Sequence, residues 1–197
     1  MPTPSRRLRI HVFGHKDAQV EEVASAFGGK TQPAEISECD LAIFAINPSH
    51  GIDSATIETW ENLNDSLVPR LIVVTGLENR QADFDDAVLL ANRVLDQTVT
   101  PFLVLHDDAG IACALISLED LKIRNYETSP PTVSESDNEH KALVAEFRNE
   151  FLGDMEMMGS DAFAAGLLFP AIPLWISKKI GVDIVHSYID QLSPSGG

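Results

Sequence analysis

The chain has 197 residues and a mass of 21.5 kDa, with 44% apolar and 22% charged side chains, enough for one domain with a proper core. Its 30 acidic against 14 basic side chains leave a formal charge of −16. Such a surface repels phosphate backbones and anionic lipid, so no direct nucleic-acid partner and no membrane partner are expected.

Cys39 and Cys113 lie in apolar runs, fit no metal spacing, and read as small buried hydrophobes of a reducing compartment. No apolar segment follows Met1 to Arg9 as a signal peptide would require. The longest apolar stretch, residues 162–176, is broken by Gly166, Pro170 and Pro173 and is too short to span a bilayer. The expected location is cytoplasmic.

In chain order, apolar runs alternate with helical patterns. Residues 8–13, 41–46, 71–74 and 102–105 are short and almost uniformly apolar, as strands buried on both faces must be. Between them, residues 20–27, 54–63 and 84–95 place apolar side chains three or four apart, which predicts helices. The rhythm is that of an α/β fold with four parallel strands.

Residues 111–116 and 121–126 then predict a β-hairpin, and the Pro-, Ser- and acid-rich residues 127–138 a mobile loop. Helices are expected over 139–152, 161–168 and 182–192, with a last strand over 172–176. Met155, Met157 and Met158 are expected to pack a helix end. The whole chain, 1–197, reads as a single domain: a sheet core over 1–106, a hairpin insertion and loop over 107–138, and C-terminal helices with the last strand over 139–197.

Three groups invite a chemical reading. The first strand runs through Gly14, His15, Lys16, Asp17, Ala18 and Gln19 into a helix opening Val20-Glu21-Glu22. A strand, a glycine turn and a helix N-terminus favour an anion, because backbone N–H groups and the helix dipole point at it. A working phosphate loop also needs a second glycine, a lysine and a Ser/Thr, and those places hold Gln19, Val20 and Glu21. The second group, His106-Asp107-Asp108, reads as a solvated loop, since adjacent turn residues rarely converge on one ion. In the third, His11 and His15 straddle strand and turn, so helical ligand spacing does not apply. No metal site and no nucleophilic triad is expected.

The ordered set of motifs resembles the G domain of the elongation factor G-like translational GTPases. Gly14, His15 and Asp17 match the family's G-H-x-D-x-G-K-T-T; residues 40–46 with Gly51-Ile52 match its D-G-A-V-x-V-x-D-A…G-V. Residues 68–74 match x-P-R-I-x-F-V, and 110–123 match the G-x-x-G-V-x-D-L-x-x-x-K-A that opens an inserted subdomain. Residues 178–182 and 188–194 match K-N-x-G-V and D-Y-L-P-S-P, where the family's G domain ends.

The resemblance implies a Ras-like P-loop NTPase fold, its mostly parallel sheet shortened by loss of the switch-region strands. Only residues 28–39 stand where the family carries both switches and its Mg²⁺ motif. Its guanine-reading Asn and Asp correspond to Thr75 and Glu78, and its base-edge loop to Trp175. It therefore implies a pseudo-GTPase, not an enzyme and without cofactor, in which Val20, Glu21, Glu22 and Trp175 plug the nucleotide pocket. The expected role is a protein-interaction or regulatory module linked to translation.

The alternative is an unorthodox guanine-nucleotide switch or weak GTPase using GTP and Mg²⁺, with Lys16 or Lys30 as the phosphate lysine and Glu78 reading the base. Loss of the outer strands would make residues 8–13, from Leu8 to Phe13, an edge. Either a protein partner or a second copy pairs there, or residues 30–38 or the N-terminal arm cover it.

Overall fold

The computed structural model of the chain describes residues 7–31 and 38–192. Strand β1 (Ile10–Gly14), helix α1 (Val20–Phe27), strand β2 (Leu41–Ile46), helix α2 (Ser54–Asn62), strand β3 (Arg70–Val74) and helix α3 (Phe84–Val94) alternate as the apolar periodicity requires. Gly28 ends α1 in the left-handed region at φ 67°, its N–H returning to the Ala24 carbonyl. Asp53 and Asp83 cap α2 and α3, accepting from the backbone N–H groups of Thr56 and Asp85.

β1, β2 and β3 are parallel, with Gly14 beside Ala45 and Phe44 beside Ile72. The fourth place belongs to β8 (Ala171–Pro173), giving the order β1-β2-β3-β8. Because strand side chains alternate, the sheet sends two apolar layers in opposite directions. Val12, Ile43, Leu71, Val73 and Ile172 pack with α1 and with helix α6 (Val182–Leu192). Phe44, Ile46, Ile72 and Val74 pack with α2 and α3. The chain is an α/β fold.

Residues 102–106 do not supply a fourth parallel strand. Val99 touches the β8 edge for one residue, its N–H on the Phe169 carbonyl and its carbonyl accepting from Ala171. Pro101 then has no N–H to continue a ladder, and the chain leaves the sheet. The segment becomes β4 (Phe102–His106), the first strand of a separate antiparallel sheet with β5 (Ala112–Ser117), β6 (Lys122–Asn125) and β7 (Thr132–Glu135). The predicted hairpin is β5 and β6. β7 lies within the stretch read as a mobile loop, and it is a strand paired to β6 with all four residues exposed.

The helix expected over 139–152 is two, α4 (Asn138–Leu143) and α5 (Ala145–Met158), divided at Val144. Met155 packs on the core, but Met157 is 87% exposed, against the expectation of a methionine-packed end. Residues 161–168 form turns rather than a helix. Gly166 sits there at φ 72° against Leu67, where a Cβ would run into the Leu67 carbonyl oxygen. Cys39 and Cys113 are half-buried, not fully so as expected.

β1 is the outermost strand of its sheet, but its edge is not bare. Lys30 donates its N–H to the Ile10 carbonyl at 3.0 Å, and its carbonyl accepts from Val12 N–H at 2.9 Å. Residues 1–6 of the N-terminal arm and residues 32–37, part of the cover anticipated, lie outside the described residues. Among the described residues no helix is long and apolar enough to cross a membrane.

Candidate functional site

Parallel strands all point their C-terminal ends the same way, so the loops after β1, β2 and β3 meet at one end of the sheet. Four side-chain hydrogen bonds lock them together, one of them from Asn79 Nδ2 to the Ser49 hydroxyl at 3.2 Å. Buried Thr75, after β3, donates its hydroxyl to the Ala18 carbonyl at 2.9 Å. Buried Asn47, after β2, donates through Nδ2 to the Asp17 carbonyl at 3.1 Å, while its Oδ1 accepts from Ser49 N–H at 3.0 Å. Gln19 Nε2 donates to the Glu78 carboxylate at 2.7 Å across the surface.

α1 therefore starts from a loop already occupied by protein. Gln19, at its N-cap, is in the left-handed region at φ 60° and makes no side-chain cap. Glu21 and Glu22 place two exposed carboxylates in the first turn, where the helix field favours negative charge. Glu21 also accepts from the Thr31 hydroxyl at 3.0 Å. Val20 is half-buried on the core. The depression beside Gly14 and Val20 holds about 170 Å³, below the ~300–1,000 Å³ of ordinary small-molecule pockets.

The structure thus gathers Gly14, His15, Asp17, Gln19, Val20, Glu21, Thr75 and Glu78 at the loops it brings together. Trp175, two residues beyond β8, packs half-buried against both apolar layers, with the Lys178 ammonium 4.3 Å from its ring. Asp107 accepts from the backbone N–H groups of Ala109 and Ile111 and so closes its own turn. Burial pushes the Cys39 thiol up to about 11 and raises that of Cys113, so neither is a thiolate nucleophile near neutrality.

One grouping escaped the sequence reading. His15 and His50 stack with centroids 5.7 Å apart and planes 8° apart, and Asp17 Oδ2 lies 3.5 Å and 3.8 Å from their Nδ1 atoms. Among the described residues this is the only set of three or more such side chains gathered closely enough to hold one metal ion. His15 and His50 are 35 positions apart. No spacing rule links them; only the parallel register of β1 and β2 does. The Asp53 carboxyl is held below its usual range by its hydrogen bonds with Thr56, and the field of His15 adds to this.

The fold defines an α/β domain in which a parallel sheet carries a convergent loop site and a second, antiparallel sheet is appended. Sequence comparison relates it to elongation factor G-like proteins. It is 23% identical over 167 residues to the Elongation factor G-like protein of Mycobacterium tuberculosis, in strains CDC 1551 / Oshkosh and ATCC 25618 / H37Rv. The match covers 75% of this chain and 23% of each relative, so the chain spans under a quarter of their length. A crystal structure of a Thermus thermophilus protein shares the fold, with TM-score 0.66 at 22% identity over 81% of this chain and 27% of that one. No protein-family model matches the sequence.

Proposed function

We infer that this chain is a Ras-like, GTPase-derived domain that neither hydrolyses nor holds a nucleotide, and that serves translation as a protein-interaction or regulatory module. The observation that carries this reading is the mutual closure of the loops. Thr75 and Glu78, at the family's guanine-reading positions, spend their polar atoms on Ala18 and Gln19 of the first loop. A guanine would have to break the Gln19–Glu78 bond, and a phosphate would meet Val20 and Glu21 where it needs a lysine and a hydroxyl, with the Glu22 carboxylate beside them. The residues present do not fit GTP with Mg²⁺. The strand order β1-β2-β3-β8 supports descent from a Ras-like sheet without its outer strands.

The partner is a protein. A strand added at the β1 edge would have to displace Lys30, which already pairs with Ile10 and Val12. The test is thermal denaturation with millimolar GTP, GDP or ATP and Mg²⁺. A ligand that binds only the folded state raises the melting temperature as RT ln(1 + [L]/Kd). No shift is expected. A guanine-selective shift that disappears in Lys16→Ala would replace this reading with a nucleotide switch.

A further inference from the structure

We propose that His15, Asp17 and His50 form a binding site for a divalent transition-metal ion of the Zn²⁺ class. Two imidazoles and a carboxylate are a borderline-soft donor set, suited to Zn²⁺ rather than to the all-oxygen preferences of Mg²⁺ or Ca²⁺.

The spacing fits. Ligand atoms about 2.0–2.2 Å from a tetrahedral ion stand about 3.3–3.6 Å from one another. Asp17 Oδ2 lies 3.5 Å from His15 Nδ1 and 3.8 Å from His50 Nδ1, and all three ligand atoms fall within 4.8 Å of one another. Both rings are partly exposed at the loop surface, and their planes, now 8° apart, tilt toward one another to aim both nitrogens at one ion.

The loops that carry the ligands are held before any ion arrives. Asn47 is buried and fastens both, reaching the Asp17 carbonyl with Nδ2 and the Ser49 N–H with Oδ1. The N–H groups of His50 and Gly51 both return to the Asn47 carbonyl. Asp53 adds negative field beside His15. Binding has one local cost: His15 Nδ1 accepts from Asp17 N–H at 3.1 Å, and coordination through that nitrogen replaces this bond. Three protein ligands leave a fourth position for water or an anion. The site shares His15 and Asp17 with the first loop but uses no phosphate lysine and no guanine-reading position, and it is tested without nucleotide, so its failure and that of the nucleotide reading are distinguishable.

The experiment is calorimetric titration of the intact chain with ZnCl₂ alone, with Co²⁺ absorbance as a second readout. Wild type should bind one ion at micromolar concentration and give the intense visible bands of tetrahedral Co²⁺. His15→Ala and His50→Ala should each weaken Zn²⁺ binding at least about tenfold and abolish those bands. Circular dichroism checks that each variant is folded. Should His15→Ala misfold, His50→Ala on its exposed loop carries the test. Absence of a binding isotherm up to millimolar Zn²⁺ overturns the proposal, as does equal affinity in wild type and folded His50→Ala, which would place the ion elsewhere.

Discussion

The Arg70 guanidinium lies 4.4 Å from the centroid of the Trp60 ring, and the Phe169 ring stands 4.3 Å from the same carbon. Arg70 is 2% exposed, and burial lowers its pKa, opposed by the charge of Asp96. Its hydrogen-bond acceptors are neutral, the Trp60 carbonyl at 3.1 Å and Asn64 Oδ1 at 2.7 Å. The two rings meet edge to face, 5.0 Å apart at 73°, and a flat cation packed in the corner they form is a contact lysine cannot reproduce. Arg70→Lys should therefore lose about 2 kcal/mol in urea unfolding. Arg70→Met, which removes the buried charge and keeps the contact, should lose less. Equal stability of Arg70→Lys and wild type would refute the cation–ring account.

Tyr126 and Arg124 tie the second sheet to the C-terminal helix. The Tyr126 hydroxyl donates to Asp183 at 2.7 Å, and Arg124 Nη1 donates to the other oxygen of that carboxylate at 2.8 Å. Burial first, then the bond to Asp183, raises the Tyr126 pKa far above its usual value. The native state thus holds the phenolic proton more tightly than the unfolded chain. The stability this adds is complete below the unfolded pKa of about 10 and drains as pH rises beyond it. Tyr126→Phe should cost about 1 kcal/mol at neutral pH. Above pH ~10 wild type should lose stability faster than the variant, so the two urea midpoints should converge.

Gly166 offers a sharper test of packing. Its φ of 72° already excludes most side chains, and a Cβ would meet the Leu67 carbonyl oxygen. Gly166→Ala should cost upwards of about 2 kcal/mol, because neither strain nor clash can relax without moving backbone. Gly153, in the middle of α5, faces open space, and a Cβ there would meet nothing within 4 Å. Gly153→Ala should instead gain a few tenths to about 1 kcal/mol from helix propensity. A pair of thermal melts decides both.

How much was legible from sequence depends on what each segment's neighbours add. Residues 41–46 are apolar at every position because β2 lies in mid-sheet between two apolar layers, and composition suffices there. β4 has the same composition, but its partner is chosen by Pro101 and by the hairpin that follows, which no periodicity encodes. β7 was hidden because Thr132, Val133, Ser134 and Glu135 are all exposed and need no apolar alternation. The break between α4 and α5 follows from the local turn at Val144, which an amphipathic pattern runs straight through. At the site, the first loop was readable from Gly14 to Glu22 because a strand, a turn and a helix follow in sequence. His50 was not, since its neighbour His15 is reached only through the β1–β2 register.

The closed-loop reading makes a demand on charge that one substitution can test. Glu21 stands in the first turn of α1, exposed, at a position where a phosphate-binding loop would carry a hydroxyl, and it holds the Thr31 hydroxyl at 3.0 Å. If negative charge there is what repels a nucleotide's phosphates, Glu21→Lys reverses the sign of the field at the helix N-terminus. Wild type should give no melting shift with millimolar GDP, and the variant should gain a measurable one. Glu21→Gln, which removes the charge without supplying a cation, should fall between the two. Adding Gln19→Ala to Glu21→Lys should enlarge the shift, because it frees Glu78 from the bond that spans the loops. Should Glu21→Lys bind no better than wild type while the double variant does, the barrier is the Gln19–Glu78 closure rather than the acidic turn.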